Sequence, residues 1–452
     1  MTDVALRHLR AELGSKVATG AVALEDARSD QSGYRSSGIP LAVVSARTIS
    51  DVQAVLRIAS QHSVPVVPRG AGTGLAGGGT GSTGEIVLSL RRMNRVLELS
   101  VEDQLAVVEP GILNGDFNDS LSKHGLWFAP DPASRAISTI GGNIATNAGG
   151  LLCAKYGVTR EAVLGLTVVL ASGDVMRIGH RTVKGVTGLD LTALMIGSEG
   201  TLGVVVDATL RLLPIPKGPR ATLSALFPNV DSAAHAAAAI TASGLTPAVL
   251  ELLDSTSLQL IDEYLGLDLS SQGQGYLLAQ CDGSESATEA NKIASILRSH
   301  RGTVEVSMDE QQGERLLAVR RSFHPALAAR GTVLIEDVAV PRSRLPEMFA
   351  AIAVLEKKFG LSIPTVAHAG DGNLHPNFLV DTPEIPQIVW DAAGELFAAA
   401  IRMGGTLTGE HGVGVLKKRW LGDELGSTQL ELQRQIKHVF DPQGILNPGK
   451  VF

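Results

Sequence analysis

The feature that most limits what this chain can fold into is a glycine run, GAGTGLAGGGTGSTG at residues 70–84, set between two segments of strand composition, VPVVPRG and EIVLSL. Helix is almost untenable through such a run, because each interior glycine costs about 1 kcal/mol relative to alanine. Gly72-Thr73-Gly74-Leu75-Ala76-Gly77 spells G-x-G-x-x-G, and Glu98 follows about 20 residues on, as a dinucleotide fingerprint asks. That fingerprint must open a helix whose N-terminus meets a pyrophosphate, and Gly78, Gly79, Gly81 and Gly84 argue against one. A Rossmann fold is therefore disfavoured. What survives is the capacity of consecutive glycines to bring backbone N–H groups close around an anion without side-chain clash. The tight flanking strands speak against a flexible linker, and Arg69 adds a phosphate-compatible charge.

Residues 2 to about 30 read as an amphipathic helix on the spacing of Leu6, Leu9 and Leu13. LAVVSA, TISDVQAVLRIASQHS with Ser50 as its N-cap, and VPVVPRG read as strand, helix and strand, one βαβ unit. After the glycine run, EIVLSL, VLELS and LAVVEPG read as strands and NGDFNDSLSKHG as helix. DPASRAISTIGGNIATNAGG (131–150) reads as a second loop, and VLGLTVVLASGDVMRIG as a hairpin turning at Ser172-Gly173-Asp174. LMIGSEGTLGVVVDATLRLLP (194–214) is a third glycine-bearing turn ending in strand. IPKGP marks a boundary near 218. Beyond it, strands such as ATLSALF, YLLAQCD and VLIEDVAVP alternate with helices in an α+β pattern.

Length and composition narrow the function classes. At 452 residues the chain exceeds what one hydrophobic core usually supports, so two or three domains are expected. A net charge of −7 with no basic run gives no footprint for nucleic acid. Two cysteines, Cys153 and Cys281, build neither a disulfide framework nor a cysteine-rich zinc site. The N-terminus carries no signal-peptide pattern, and the apolar stretches fall short of the roughly 18–20 residues a membrane span needs. The expected location is cytoplasmic, or peripheral to a membrane through a partner. A homodimer is left open.

Three of the 11 histidines fall within 44 residues near the C-terminus: His368 and His375 in HAGDGNLH, and His411 in TGEHGVG, with Glu410 before it. One histidine alone is more often a core or surface group than a ligand. Two imidazoles plus a carboxylate, however, make a common three-ligand site for a divalent ion with positions left for substrate. Asp371, Gly372 and Asn373 suggest a turn that brings the two rings together. In a regular strand Glu410 and His411 would face opposite ways, so a shared site requires a turn there, which Gly409, Gly412 and Gly414 permit. Glu410 is assigned to the ion, and His411 is left as an unligated base.

PRGAGTGLAGG, TIGGNIATNAGG and IGSEGTLGVV resemble the flavin-binding domain of the vanillyl-alcohol oxidase, or p-cresol methylhydroxylase, superfamily. The resemblance implies that Pro68, Arg69, Gly70, Ala71, Gly72, Thr73, Gly74 and Leu75 wrap the FAD pyrophosphate. Ser138, Gly141, Gly142, Asn143, Ala145, Thr146, Gly149, Glu199 and Val204 would line the ribityl chain and ring, with Asn447 also assigned to the cofactor. No histidine occurs between Pro68 and Gly84 to tether the flavin covalently, so noncovalent FAD is expected.

HAGDGNLHPNF, GEHGVG and FDPQGILNPGK are further similar to the FAD-linked D-2-hydroxy-acid dehydrogenases, among them D-lactate dehydrogenase, the glycolate oxidase flavoprotein subunit and D-2-hydroxyglutarate dehydrogenase. This implies zinc or a similar ion on His368, His375 and Glu410, a proton-taking His411, substrate contacts from Asn377 and His324, and a carboxylate anchor at Arg320. Ile335 stands where the hydroxyglutarate enzymes carry a lysine, which favours a monocarboxylate substrate.

The implied fold is α+β: a bipartite FAD domain over 1–217, a substrate and metal domain with an antiparallel sheet over 218–418, and a segment 419–452 returning to the FAD domain. The implied activity is oxidation of a small D-2-hydroxy acid, D-lactate or a similar monocarboxylate such as glycolate, to the 2-oxo acid. Electrons would pass to a quinone, a cytochrome or an electron-transfer flavoprotein. Competing readings are D-2-hydroxyglutarate oxidation, a true oxidase or aldonolactone-type dehydrogenase on the same fold, and a flavin-carrying subunit that only relays electrons.

Overall fold

The computed structural model describes residues 2–452 and divides the chain into two compact units. The first gathers residues 1–149, 157–215 and 410–452, and the second residues 150–156 and 216–409.

In the first unit the strand Ala42–Ser45, the helix Ile49–His62 and the strand Val66–Arg69 form the expected crossover, with Ile86–Ser89 lying parallel between the two strands. The helix buries Val52, Val55, Leu56 and Ile58 against Val44, Val66, Ile86 and Leu88. Its N-cap is Thr48 rather than Ser50: the Thr48 hydroxyl accepts from the Asp51 amide while Asp51 accepts from the Thr48 amide, a reciprocal box at the start of the helix. The final residues join the same sheet, since the Val66 amide donates to Ile445 and the Asn447 amide donates back to Val66.

The expected N-terminal helix is shorter than its pattern. It runs Thr2–Leu13, ends where Gly14 takes a left-handed conformation (φ 55°), and gives way to a strand Val17–Ala18 and a second helix Ala21–Asp26. A five-stranded antiparallel sheet completes the unit in the order Val96–Ser100, Leu105–Val108, Val204–Arg211, Val163–Val169, Val175–Gly179. Its last two strands are the anticipated hairpin.

The second unit is an antiparallel sheet ordered Thr303–Ser307, Ala221–Phe227, Gly275–Cys281, Val249–Asp254, Thr365–His368, Asn373–Val380, Thr332–Ile335, with Val338–Ala339 also paired to Asn373–Val380. A core of Leu253, Leu258, Ile261, Tyr276, Leu278, Phe323 and Val366 packs helices onto it. Cys153 and Cys281 are both buried. Among the described residues no helix is long and apolar enough to cross a membrane.

Asp254 joins two of these elements. One carboxylate oxygen accepts the Ser257 amide at 2.8 Å as the cap of the helix Ser255–Leu265, and the other accepts the Thr365 amide at 2.9 Å. Burial, reinforced by the nearby Glu356, pushes its pKa from 3.8 to about 7. A raised pKa means that the folded form binds the proton more tightly than the unfolded chain, so this group's contribution is fullest below pH 3.8 and is lost as pH rises to about 7. The slope is at most about 1.4 kcal/mol per pH unit. Thermal melts of wild type and Asp254→Asn should therefore differ by an amount that changes steadily between pH 4 and pH 7 and levels off above; a difference constant across that window would refute the assignment.

Candidate active site

Within the first unit the three glycine-bearing segments converge. The run 70–84 is irregular throughout, with no helix, which removes the Rossmann alternative. Glu98, the residue at fingerprint distance, pairs with Arg181 at the surface instead. The segment 131–150, expected to be loop throughout, contains a short helix, Ile140–Thr146, because the Thr139 side chain caps the Gly142 amide and Asn147 closes the other end in a left-handed conformation.

That helix is bonded to the third segment, with the Gly197 amide donating to Ile144 and the Glu199 amide to Ala145. The first loop lies close against the second: a Cβ added to Gly70 would sit 2.4 Å from Thr139 Oγ1. Only glycine fits at 414, where φ is 49° and a Cβ would lie 2.0 Å from the Ala76 carbonyl oxygen. Pro68 and Arg69 end the strand that feeds the loop. Arg69 closes the loop over itself, donating to Gly79 O at 2.8 Å and Asp26 O at 3.3 Å, and burial lowers its pKa. Ser138 and Asn143 are buried side by side, with Asn143 Nδ2 3.3 Å from Ser138 Oγ. Such a cradle of close-packed glycine backbone suits the pyrophosphate and ribityl chain of a dinucleotide.

Two further residues complete this arrangement. Asn447 Nδ2 donates to both Gly78 O (3.0 Å) and Glu199 O (2.7 Å), drawing the C-terminal tail over the glycine run, and its buried Oδ1 has no hydrogen-bond partner. The Glu199 carboxylate, assigned above to the cofactor, accepts the amides of Val413 and Gly414 at 2.8 and 2.9 Å. Burial pushes its pKa from 4.5 up to about 7 against those bonds and Lys417.

The histidines belong to the second unit's sheet. Val366 lies opposite His375 and His368 opposite Asn373, with the chain reversing through 369–372. His375 is thus the diagonal cross-strand neighbour of His368 on one face, and the ring centroids are 5.0 Å apart at 83°. Glu410 follows Gly409 directly, at the residue where the chain leaves the second unit's segment. Asp337 fixes that approach: it accepts the Thr408 hydroxyl at 3.0 Å and the Gly409 amide at 2.7 Å. One ligand atom from each of His368, His375 and Glu410 lies within 4.8 Å of the others, a donor set suited to a divalent ion. His411 sits beside Glu410 in a bend, half-buried.

Asn377 is fully buried, two residues beyond His375 on the same strand face. Its side-chain Nδ2 donates to His375 O at 2.6 Å, while among the described residues Oδ1 has no hydrogen-bond partner. Ile335 is its cross-strand partner. Arg320 is buried on the helix Glu310–Arg321, its Nε 2.7 Å from Glu251 Oε2. His324 follows on the next helix, Phe323–Ala328, its ring 5.5 Å from that of Phe323.

Glu251 and Asp337 were not anticipated from sequence. Glu251 is a lone acid inside the apolar run VLELL and Asp337 the second of two adjacent acids inside VLIEDVAV, and each is fully buried. An acid at a position the pattern assigns to the core is the signal that could have found them.

Comparison with known proteins agrees with this geometry. Residues 40–179 match the FAD binding domain family and residues 217–451 the C-terminal domain of FAD linked oxidases. The chain is 42% identical to the glycolate oxidase subunit GlcD of Bacillus subtilis over 92% of this chain and 89% of that protein. It is 35% identical to the D-lactate dehydrogenase of Archaeoglobus fulgidus, covering 90% of each. In fold it is similar to p-cresol methylhydroxylase, with a TM-score of 0.83 over 99% of this chain and 96% of that one at 18% identity. From its cradle, its sheets and these relatives together, the chain belongs to the FAD-linked oxidase family of the vanillyl-alcohol oxidase and p-cresol methylhydroxylase fold, and it is an FAD-dependent oxidoreductase.

Proposed function

We propose that this protein oxidises a small D-2-hydroxy monocarboxylate, D-lactate or the achiral glycolate, to the 2-oxo acid. The observation that carries the reading is the convergence of His368, His375 and Glu410, with Arg320 joined to His368 through one buried carboxylate. The names of the relatives, glycolate oxidase subunit and D-lactate dehydrogenase, support it.

FAD, held noncovalently by the glycine loops, supplies the acceptor for the α-hydride, and a divalent ion on His368, His375 and Glu410, zinc by its taste for imidazole, supplies a Lewis acid that acidifies the hydroxyl. Arg320 binds the substrate carboxylate through its Nη groups, its Nε being committed to Glu251. His411 accepts the hydroxyl proton on its imidazole. Asn377 Oδ1, buried with no hydrogen-bond partner, offers the substrate an acceptor, and His324 a further polar contact. Ile335 opposite Asn377 gives a second carboxylate no ion pair, which favours a monocarboxylate over D-2-hydroxyglutarate. In this reading residues 1–217 with 419–452 carry the flavin and 218–418 carry substrate and ion. The acceptor is a quinone, a cytochrome or an electron-transfer flavoprotein, and the protein works in the cytoplasm or at a membrane periphery.

A second reading, a flavoprotein subunit that relays electrons within a larger complex, is favoured by the relative named as a glycolate oxidase subunit. Anaerobic mixing with D- and L-2-hydroxy acids separates the two: D-lactate or glycolate should bleach the flavin of the isolated chain. Bleaching by dithionite alone supports the relay. His411→Ala should keep its flavin spectrum and lose at least about 10²-fold in turnover; full turnover places the base elsewhere. Chelation should abolish activity and added Zn²⁺ restore it, whereas a fully active metal-free protein would refute the ion.

A further inference from the structure

We propose that Glu251, a residue in contact with neither substrate nor ion, is a positioning residue that sets the tautomer of His368 and the aim of Arg320 together. This rests on the ion and carboxylate roles proposed above. Glu251 is fully buried in the strand Val249–Asp254, directly opposite His368 in the register of the adjacent strand. Its two oxygens are divided: Oε1 lies 2.7 Å from His368 Nδ1 and Oε2 lies 2.7 Å from Arg320 Nε. On its other flank the strand partner is Leu278, whose side chain offers the carboxylate no donor.

A carboxylate accepts at both oxygens, so the proton of His368 is drawn to Nδ1 and the lone pair of Nε2 is left for an ion. The same carboxylate compensates the buried guanidinium and holds it by its inner nitrogen. Among the described residues the two Nη groups make no hydrogen bond of their own, and so they stay available to a substrate carboxylate. One side chain therefore orients the two groups that receive the two ends of a 2-hydroxy acid. Loss of the ion and loss of the carboxylate grip are consequently linked in a single substitution, which a merely space-filling residue would not produce.

The test is a calorimetric Zn²⁺ titration of chelated, FAD-loaded protein, paired with KM for D-lactate, in wild type, Glu251→Gln, Glu251→Asp and His368→Ala. Glu251→Gln should bind Zn²⁺ about 10–100-fold more weakly and raise KM by more than it lowers kcat, with FAD content unchanged. Glu251→Asp, which keeps a carboxylate but loses one methylene of reach, should fall between Gln and wild type in both quantities. If Glu251→Gln fails to retain its flavin, the aspartate variant decides the matter: wild-type Zn²⁺ affinity and KM there overturn the proposal. Unchanged values in Glu251→Gln, with binding lost in His368→Ala, refute the role of Glu251 and leave the ion site standing. A wild-type protein that takes up no Zn²⁺ removes the ion reading itself, and this proposal with it.

Discussion

Antiparallel register governs the second unit. Directly opposed residues on neighbouring strands have their Cβ atoms about 5 Å apart, and a slip of one residue sends every side chain to the other face. Here the register opposes Glu251 to His368, His375 to Val366 and Ile335 to Asn377. It therefore brings an acid, two imidazoles and an amide into one neighbourhood from three strands. Their burial penalises each polar atom left without a partner, by about 1–3 kcal/mol and more for a charged one. The apolar residues alternating with them, Leu250, Leu252, Ala367 and Leu374, are buried on the other face and hold that register in place.

The first unit solves a different problem. A large anionic cofactor needs backbone donors at close range, and close range excludes side chains. The approach of Gly70 to Thr139 and of Gly414 to Ala76 measures how tightly the segments meet. The charged groups beside the cradle are engaged internally: Arg69 seals its own loop, and Glu199, which would repel an anion, is spent on two amides of the C-terminal segment.

Much of this was legible in the linear sequence, for physical reasons. A glycine run between strands rules out helix, and HAGDGNLH can hardly do other than reverse direction. Other features were not legible. Thr48 and Ser50 are equally good caps in isolation, and only the position of Asp51 relative to the first turn decides between them. The helix Ile140–Thr146 contains two glycines and forms because Thr139 caps it and its carbonyls bind the turn at 197–199, a tertiary compensation that overrides poor propensity. Glu251 and Asp337 pass for ordinary acids until the sheet order shows that each is enclosed.

The tail has a bearing on biosynthesis. Asn447 bridges Gly78 to Glu199, Lys450 donates to the Thr80 carbonyl, and Leu446 lies alongside Val66. All four partners are translated hundreds of residues earlier. Chains emerge from the ribosome N-terminus first, so the pocket that a nascent polypeptide could offer to flavin lacks its closing segment until residues 446–450 have been made. Cofactor capture in its final form waits for that segment, and a translation product truncated before it is denied the mature nest.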